Sequence, residues 1–255
     1  MQQPKFLYAN RILKDNITVS SGTANKAKLV DRNEDQVFSA IGESGALTVS
    51  VTFPTPMDIN RIFIQNTNIK NFTITYNSGS AFTPSLAVTN NAVANLYYEV
   101  TKVVAATGIK IVVTTTQDSG EAYIGQFYAG LEIFEFAGTI GNEGDDWKSG
   151  SVKQTILEMS DGTTQKVFVR RLLNISLDLI NLSDAERTNF WTAYDENKRN
   201  AIVFIPYPSD VGGTWDGWGG HYNWTNAFEF YNYAEGTSLN GWKGHIDLVQ
   251  AGGVR

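Results

Sequence analysis

A mainly β protein in two domains is what this sequence predicts: an antiparallel β-sandwich, then a β domain with one α-helix. Three observations carry that expectation. Apolar residues of the first half alternate with polar ones at a period of two, turn-forming residues punctuate those runs, and a single stretch shows a capped helical period. At 255 residues the chain is long for one ordinary domain and comfortable for two. With 42% hydrophobic and 18% charged residues it can build sizeable cores and is not a disordered chain.

The strands of the first half read in order. Leu47, Val49, Val51 and Phe53 share one face around Thr48, Ser50 and Thr52. Phe72, Ile74 and Tyr76 repeat the pattern, as do Ile109, Ile111 and Val113, and the run from Leu131 to Phe136 closes the set. Turns are expected at Ser20-Ser21-Gly22, Pro54-Thr55-Pro56, Asn77-Ser78-Gly79 and Asp118-Ser119-Gly120. Short, regularly punctuated strands with no capped helix between them predict a sandwich over residues 1–136.

Residues 137–150 hold four glycines and little apolar periodicity, and they read as a linker. The second domain is then 151–255. Lys153 to Met159 and Thr164 to Leu179 read as a hairpin about Ser160-Asp161-Gly162. Arg171 interrupts the apolar face of the second strand, which predicts a β-bulge near Arg170-Arg171. The helix starts at Ser183, where Ser183-Asp184-Ala185-Glu186 forms a capping box and Phe190, Trp191 and Tyr194 form the expected buried stripe. Ala201 to Ile205 follows as a buried strand of this domain, a Gly/Trp loop runs on to Trp224, and Phe228–Tyr233 and Trp242–Val249 are the last strands.

Charge and composition exclude several functions. Twenty basic against 26 acidic residues, with Arg170-Arg171 and Lys198-Arg199 the only adjacent basic pairs, argue against nucleic acid as a partner. Apolar stretches of four to six residues cannot span a membrane as helices, and the N-terminus reads without a secretory signal. There is no cysteine, so disulfides and thiol chemistry are out. No phosphate-binding loop, dinucleotide fingerprint, His-Glu-x-x-His or Gly-x-Ser-x-Gly sequence occurs. His245 reads as a solvated strand residue between Lys243 and Asp247, and His221 lies in a glycine-rich loop. The acids Asp145-Asp146 and Asp195-Glu196 read as solvated, and the Asp31–Asp35 cluster departs from calcium-loop spacing. No catalytic residue, cofactor or metal is expected, and the chain reads as a non-enzyme.

Segment 212–224 gathers three of the six tryptophans. Trp215, Trp218, His221, Tyr222 and Trp224 are the candidate contact residues, since rings beside Asp and Asn either bury against a neighbouring subunit or stack on a sugar.

Two stretches carry a family resemblance. Ile17-Thr18-Val19-Ser20-Ser21-Gly22, then Ala27 to Phe38, then Met57-Asp58-Ile59-Asn60-Arg61-Ile62-Phe63-Ile64, with Tyr123 to Phe134 at the close, resembles a discoidin-like domain over residues 8–136. Asp161-Gly162, Arg170 to Leu179, the helix from Ser183, the strand ending Ile205-Pro206-Tyr207-Pro208 and the run Gly241 to Leu248 look like structural proteins of tailed-bacteriophage tails. That resemblance implies a virion structural protein of the tail, assembled in the host cytoplasm. It would act as a homo-oligomer through protein–protein contacts with other tail proteins in a ring or tube. The alternative is a carbohydrate-binding module that attaches to a receptor or glycan through the 212–224 loop or the discoidin-like domain.

Overall fold

A computed structural model describes residues 4–31, 36–44, 46–77, 82–136, 148–158, 164–205, 220–232 and 241–251. The protein is mainly β, its strands pair antiparallel, and one α-helix lies among the described residues. The strands of the first half are β1 (Lys5–Leu7), β2 (Ile17–Val19), β3 (Phe38–Ser44), β4 (Leu47–Thr67), β5 (Ile69–Asn77), β6 (Phe82–Val88), β7 (Leu96–Thr116), β8 (Glu121–Gly130) and β9 (Glu132–Glu135). There follow β10 (Lys148–Glu158), β11 (Thr164–Leu182), α1 (Asp184–Asn197), β12 (Ile202–Ile205), β13 (Gly220–Trp224), β14 (Phe230–Asn232) and β15 (Trp242–Gln250). The chain forms two compact units: Met1–Thr139 with Val203–Gly219 and Gly252–Arg255, and Ile140–Ile202 with Gly220–Ala251.

The first unit is built on two long, bent strands. β4 and β7 pair along their lengths, but the register jumps from Thr52 opposite Gly108 to Met57 opposite Ala106. Pro54-Thr55-Pro56, expected as a turn, is this bend within one strand. Proline suits extended backbone and cannot donate to the ladder, so pairing lapses while the chain runs on. The bend lets each strand serve two layers. The first halves of β4 and last half of β7 pair with β2 and β5, and the other halves pair with each other and with β8. Val49, Val51, Phe72, Ile74, Ile109 and Ile111 of one layer share a core with Ile62, Ile64, Tyr98 and Phe127 of the other. Each fully buried Leu, Ile or Phe contributes about 1.5–3 kcal/mol relative to exposure. The expected turn at Asp118–Gly120 is present, with Ser119 at φ 60° and the Gly120 amide donating to Asp118. The turn at Asn77-Ser78-Gly79 lies largely outside the described residues.

The sandwich carries a third layer. β9 was expected to close the sandwich and instead pairs with β1, which pairs on its other side with β12. Alternation explains why. Phe63, Tyr97 and Tyr128 face away from the sandwich core, and Leu7, Val203 and Ile205 cover them. Val203–Ile205, expected in the second domain, therefore belongs to the first unit.

In the second unit, β11 pairs with β10 on one side and β15 on the other, and β13 and β14 pair with β15. β10 begins at Lys148, within the expected linker. The bulge is where the sequence places it: Lys153 faces Arg170 and Gln154 faces Phe168, leaving Val169 extra. The capping box is complete, with the Ser183 hydroxyl accepting from the Glu186 amide and the Glu186 carboxylate accepting from the Ser183 amide. The helix buries Phe190 and Ala193, whereas Trp191 is 45% exposed. Phe190 and Ala193 lie three apart on one line, and Trp191 sits about 100° round from Phe190. It rests at the rim, edge-on to Phe228 and beneath the Lys198 ammonium. Asn197 ends the helix by donating to the Tyr222 carbonyl and accepting from the Trp224 amide. Residues 220–224, expected as the end of a loop, are thus a strand.

Candidate functional site

One face of the second unit's sheet is apolar and the other polar. Ile175, Leu177, Phe230, Ile246 and Leu248 are buried, and Phe230 stacks on Phe190 of the helix. The alternate residues Ser176, Asp178, Tyr231, Lys243, His245 and Asp247 lie on the opposite, open face. Register brings them together, because Ser176 stands opposite Asp247 and Asp178 opposite His245. The His245 Nδ1 lies 2.7 Å from Asp178 Oδ1, and its Nε2 lies 3.0 Å from Asp247 Oδ1. The Ser176 hydroxyl donates to Asp247 at 2.8 Å and sits 3.2 Å from His245 Nε2. Asp178 foremost, with Asp247 adding, holds the His245 imidazolium proton above the usual histidine range.

Asp178, His245 and Asp247 line a groove of about 430 Å³ with Lys243, Ile180, Asn226, Glu229 and Tyr231. Ile180 is 67% and Tyr231 58% exposed, unusual for such side chains. The Tyr231 hydroxyl donates to Glu229, which steadies the ring. Asn226 spends its amide on the strand beneath, donating to the His245 carbonyl and accepting from the Asp247 amide. Gly244 lets Phe230 lie flat against the sheet under the groove. A Cβ there would stand 2.6 Å from a ring carbon.

Serine, imidazole and carboxylate within hydrogen-bond reach have the spacing of a nucleophile, base and orienter. The second carboxylate changes that chemistry. Asp247 accepts the Ser176 hydroxyl hydrogen bond and also faces Nε2, so the serine proton points to a carboxylate and both ring nitrogens are engaged by acids, which leaves no free imidazole nitrogen to act as base on the serine. The arrangement holds a proton and presents carboxylate oxygens outward.

The residues singled out from sequence lie elsewhere. Trp215 and Trp218 are outside the described residues. His221, Tyr222 and Trp224 are buried in the second unit, so they offer no open contact face, and Trp224 packs against Tyr194. Asp31 accepts from Gln126, and the rest of the Asp31–Asp35 cluster lies outside the described residues. Among the described residues no group of three or more His, Asp or Glu stands where it could hold a metal ion. The sequence does not mark the groove residues around His245 as a site. Their signal was the alternation of Ser176, Asp178 and Ile180 against Lys243, His245 and Asp247, which means nothing until two strands 67 residues apart are known to pair.

A second polar cluster, partly buried, lies in the first unit. The Lys5 ammonium lies 2.7 Å from Glu135, 3.5 Å from Glu132 and 3.7 Å from Glu99, and Arg61 pairs with Glu99 and Glu132. Burial pushes the neighbouring Tyr97 hydroxyl well above its ordinary range. This cluster fastens β1 and β9 to the sandwich.

No protein-family model matches this chain, and no curated protein matches it. Among solved structures it is similar to chitosan-binding module 1 of a chitosanase/glucanase from Paenibacillus sp. IK-5, at 15% identity and TM-score 0.42, over 47% of this chain and 97% of that one. It is also similar to a pectin-binding carbohydrate-binding module, at 20% identity and TM-score 0.38, over 47% and 91% of the two chains. A Clostridium perfringens protein solved with GalNAc-beta-1,3-galactose matches at 14% identity and TM-score 0.41, over 46% and 97%. These are likenesses at scores too low to assign the chain to their kind, and they lend the tail-protein resemblance no support.

Proposed function

We propose that this chain is a non-catalytic glycan-binding protein that takes a sugar in the groove on the open face of its second unit. One observation carries the reading: Asp178 and Asp247 bracketing His245 line the groove, and the exposed ring of Tyr231 lines it too. A sugar ring has an apolar C–H face that stacks on an aromatic ring, and hydroxyls that donate to carboxylates. The groups stand on paired strands, so little ordering cost falls on binding. The groove's volume is in the range of small-ligand sites.

The test is a glycan array with the full chain, followed by calorimetry on the best ligand. Tyr231→Ala is expected to weaken binding by about tenfold, the equivalent of about 1.4 kcal/mol. Unchanged affinity in Tyr231→Ala, or no glycan bound, counts against the reading.

A second reading is a structural subunit acting through protein–protein contacts, as the tail-protein resemblance implies. Exposed Trp191 and Ile180 favour it, because large exposed apolar groups mark contact sites. Rings or tubes in negative-stain images would support that role, and a monomer at every concentration would oppose it.

A further inference from the structure

We infer that this groove selects uncharged sugars and rejects acidic ones, an inference that rests on the glycan-binding reading above. The first ground is hydrogen-bond polarity. Ser176 spends its proton on Asp247, the Tyr231 hydroxyl donates to Glu229, and both ring nitrogens of His245 face carboxylates. What remains toward a ligand is mostly acceptor oxygen, from Asp178, Glu229 and Asp247. A neutral hydroxyl donates to such oxygens, and an ionised uronate or sulfate brings only further acceptors.

The second ground is charge. Around His245 the groove gathers Asp178 from β11, Glu229 just ahead of β14, Tyr231 from β14, and Lys243 and Asp247 from its own strand, with Ser176 of β11 beside Nε2. Three carboxylates against Lys243 and a protonated His245 leave one net negative charge, and two once the imidazole is neutral. Lys243, which no ion pair engages among the described residues, is the cation of the groove lining that stays charged when His245 is neutral. It is outnumbered by carboxylates lining the same groove. Rejection of acidic sugars therefore strengthens as pH rises through the titration of His245.

The experiment compares neutral oligosaccharides with uronate-bearing counterparts on one array, using the full chain, at about pH 6 and about pH 8 and at low and high salt. Acidic sugars are expected to bind at least about fivefold more weakly than neutral ones at low salt. The gap should widen at the higher pH and shrink in high salt, where exposed charges are screened. The double variant Asp178→Asn, Glu229→Gln should close it. Equal binding of the two classes at low salt, or a gap that the double variant leaves intact, overturns the inference and leaves glycan binding standing. Failure of both classes to bind overturns the glycan-binding reading together with it.

Discussion

Replacing Lys5 by Met removes the buried end of the ion network while keeping the length and apolar stem of the side chain. The Lys5 side chain is 2% exposed and faces Glu135, Glu132 and Glu99, and Arg61 shares the last two. Without the ammonium, three carboxylates face one guanidinium. Glu132 is mostly buried and cannot regain its hydration, whereas Glu99 and Glu135 are half-exposed and can. Removing one partner of a buried pair costs about 3–5 kcal/mol, and the half-exposed acids place this case near about 3 kcal/mol. The loss falls on β1, whose Phe6 and Leu7 pair with β9 and β12. Hydrogen exchange of those two amides in the full chain should quicken by about a hundredfold, the equivalent of that free energy. Glu135→Gln should cost only about 1 kcal/mol, because its partner keeps other acids and water reaches the site. Exchange in Lys5→Met within about threefold of the parent protein would refute the reasoning. It would mean that the desolvation cost of the network cancels its attraction.

Two further outcomes are expected in the second unit. Gly244→Ala should destabilise it by about 1–3 kcal/mol, because the new Cβ must displace the Phe230 ring from its stack on Phe190 and Phe228; an unchanged urea midpoint would show that the ring yields freely. His245 should titrate above the ordinary histidine range of about 6.5 by nuclear magnetic resonance, and Asp178→Asn should lower its midpoint. With the folded pKa raised, the contribution of the Asp178–His245–Asp247 bridge is complete below the unfolded pKa and disappears as pH rises through the folded one. His245→Gln should remove that part of the stability slope, and a midpoint at or below the ordinary value would sink the argument.

Local chemistry was legible in the sequence wherever neighbours along the chain supply all the partners. The capping box from Ser183 to Glu186, the Asp118–Gly120 turn and the bulge beside Arg170 each involve a few adjacent residues, and period-two alternation identified the strands of the sandwich. What the tertiary structure decided depends on pairings between distant segments. Pro54–Pro56 is a bend because β7 continues the ladder beyond it, and Val203–Ile205 joins the first unit because β1 offers it an edge. Trp191 lies at the rim because the facing strands take Phe190 and Ala193. Tyr222 and Trp224, promising as exposed aromatics in a glycine-rich run, are buried once β13 pairs with β15 and Asn197 reaches across to it. The groove has the same origin: His245 reads from sequence as a solvated strand residue, and nothing in the sequence ties it to Asp178. Antiparallel register alone sets their side chains against each other, since a shift of one residue on either strand would turn one of them to the opposite face.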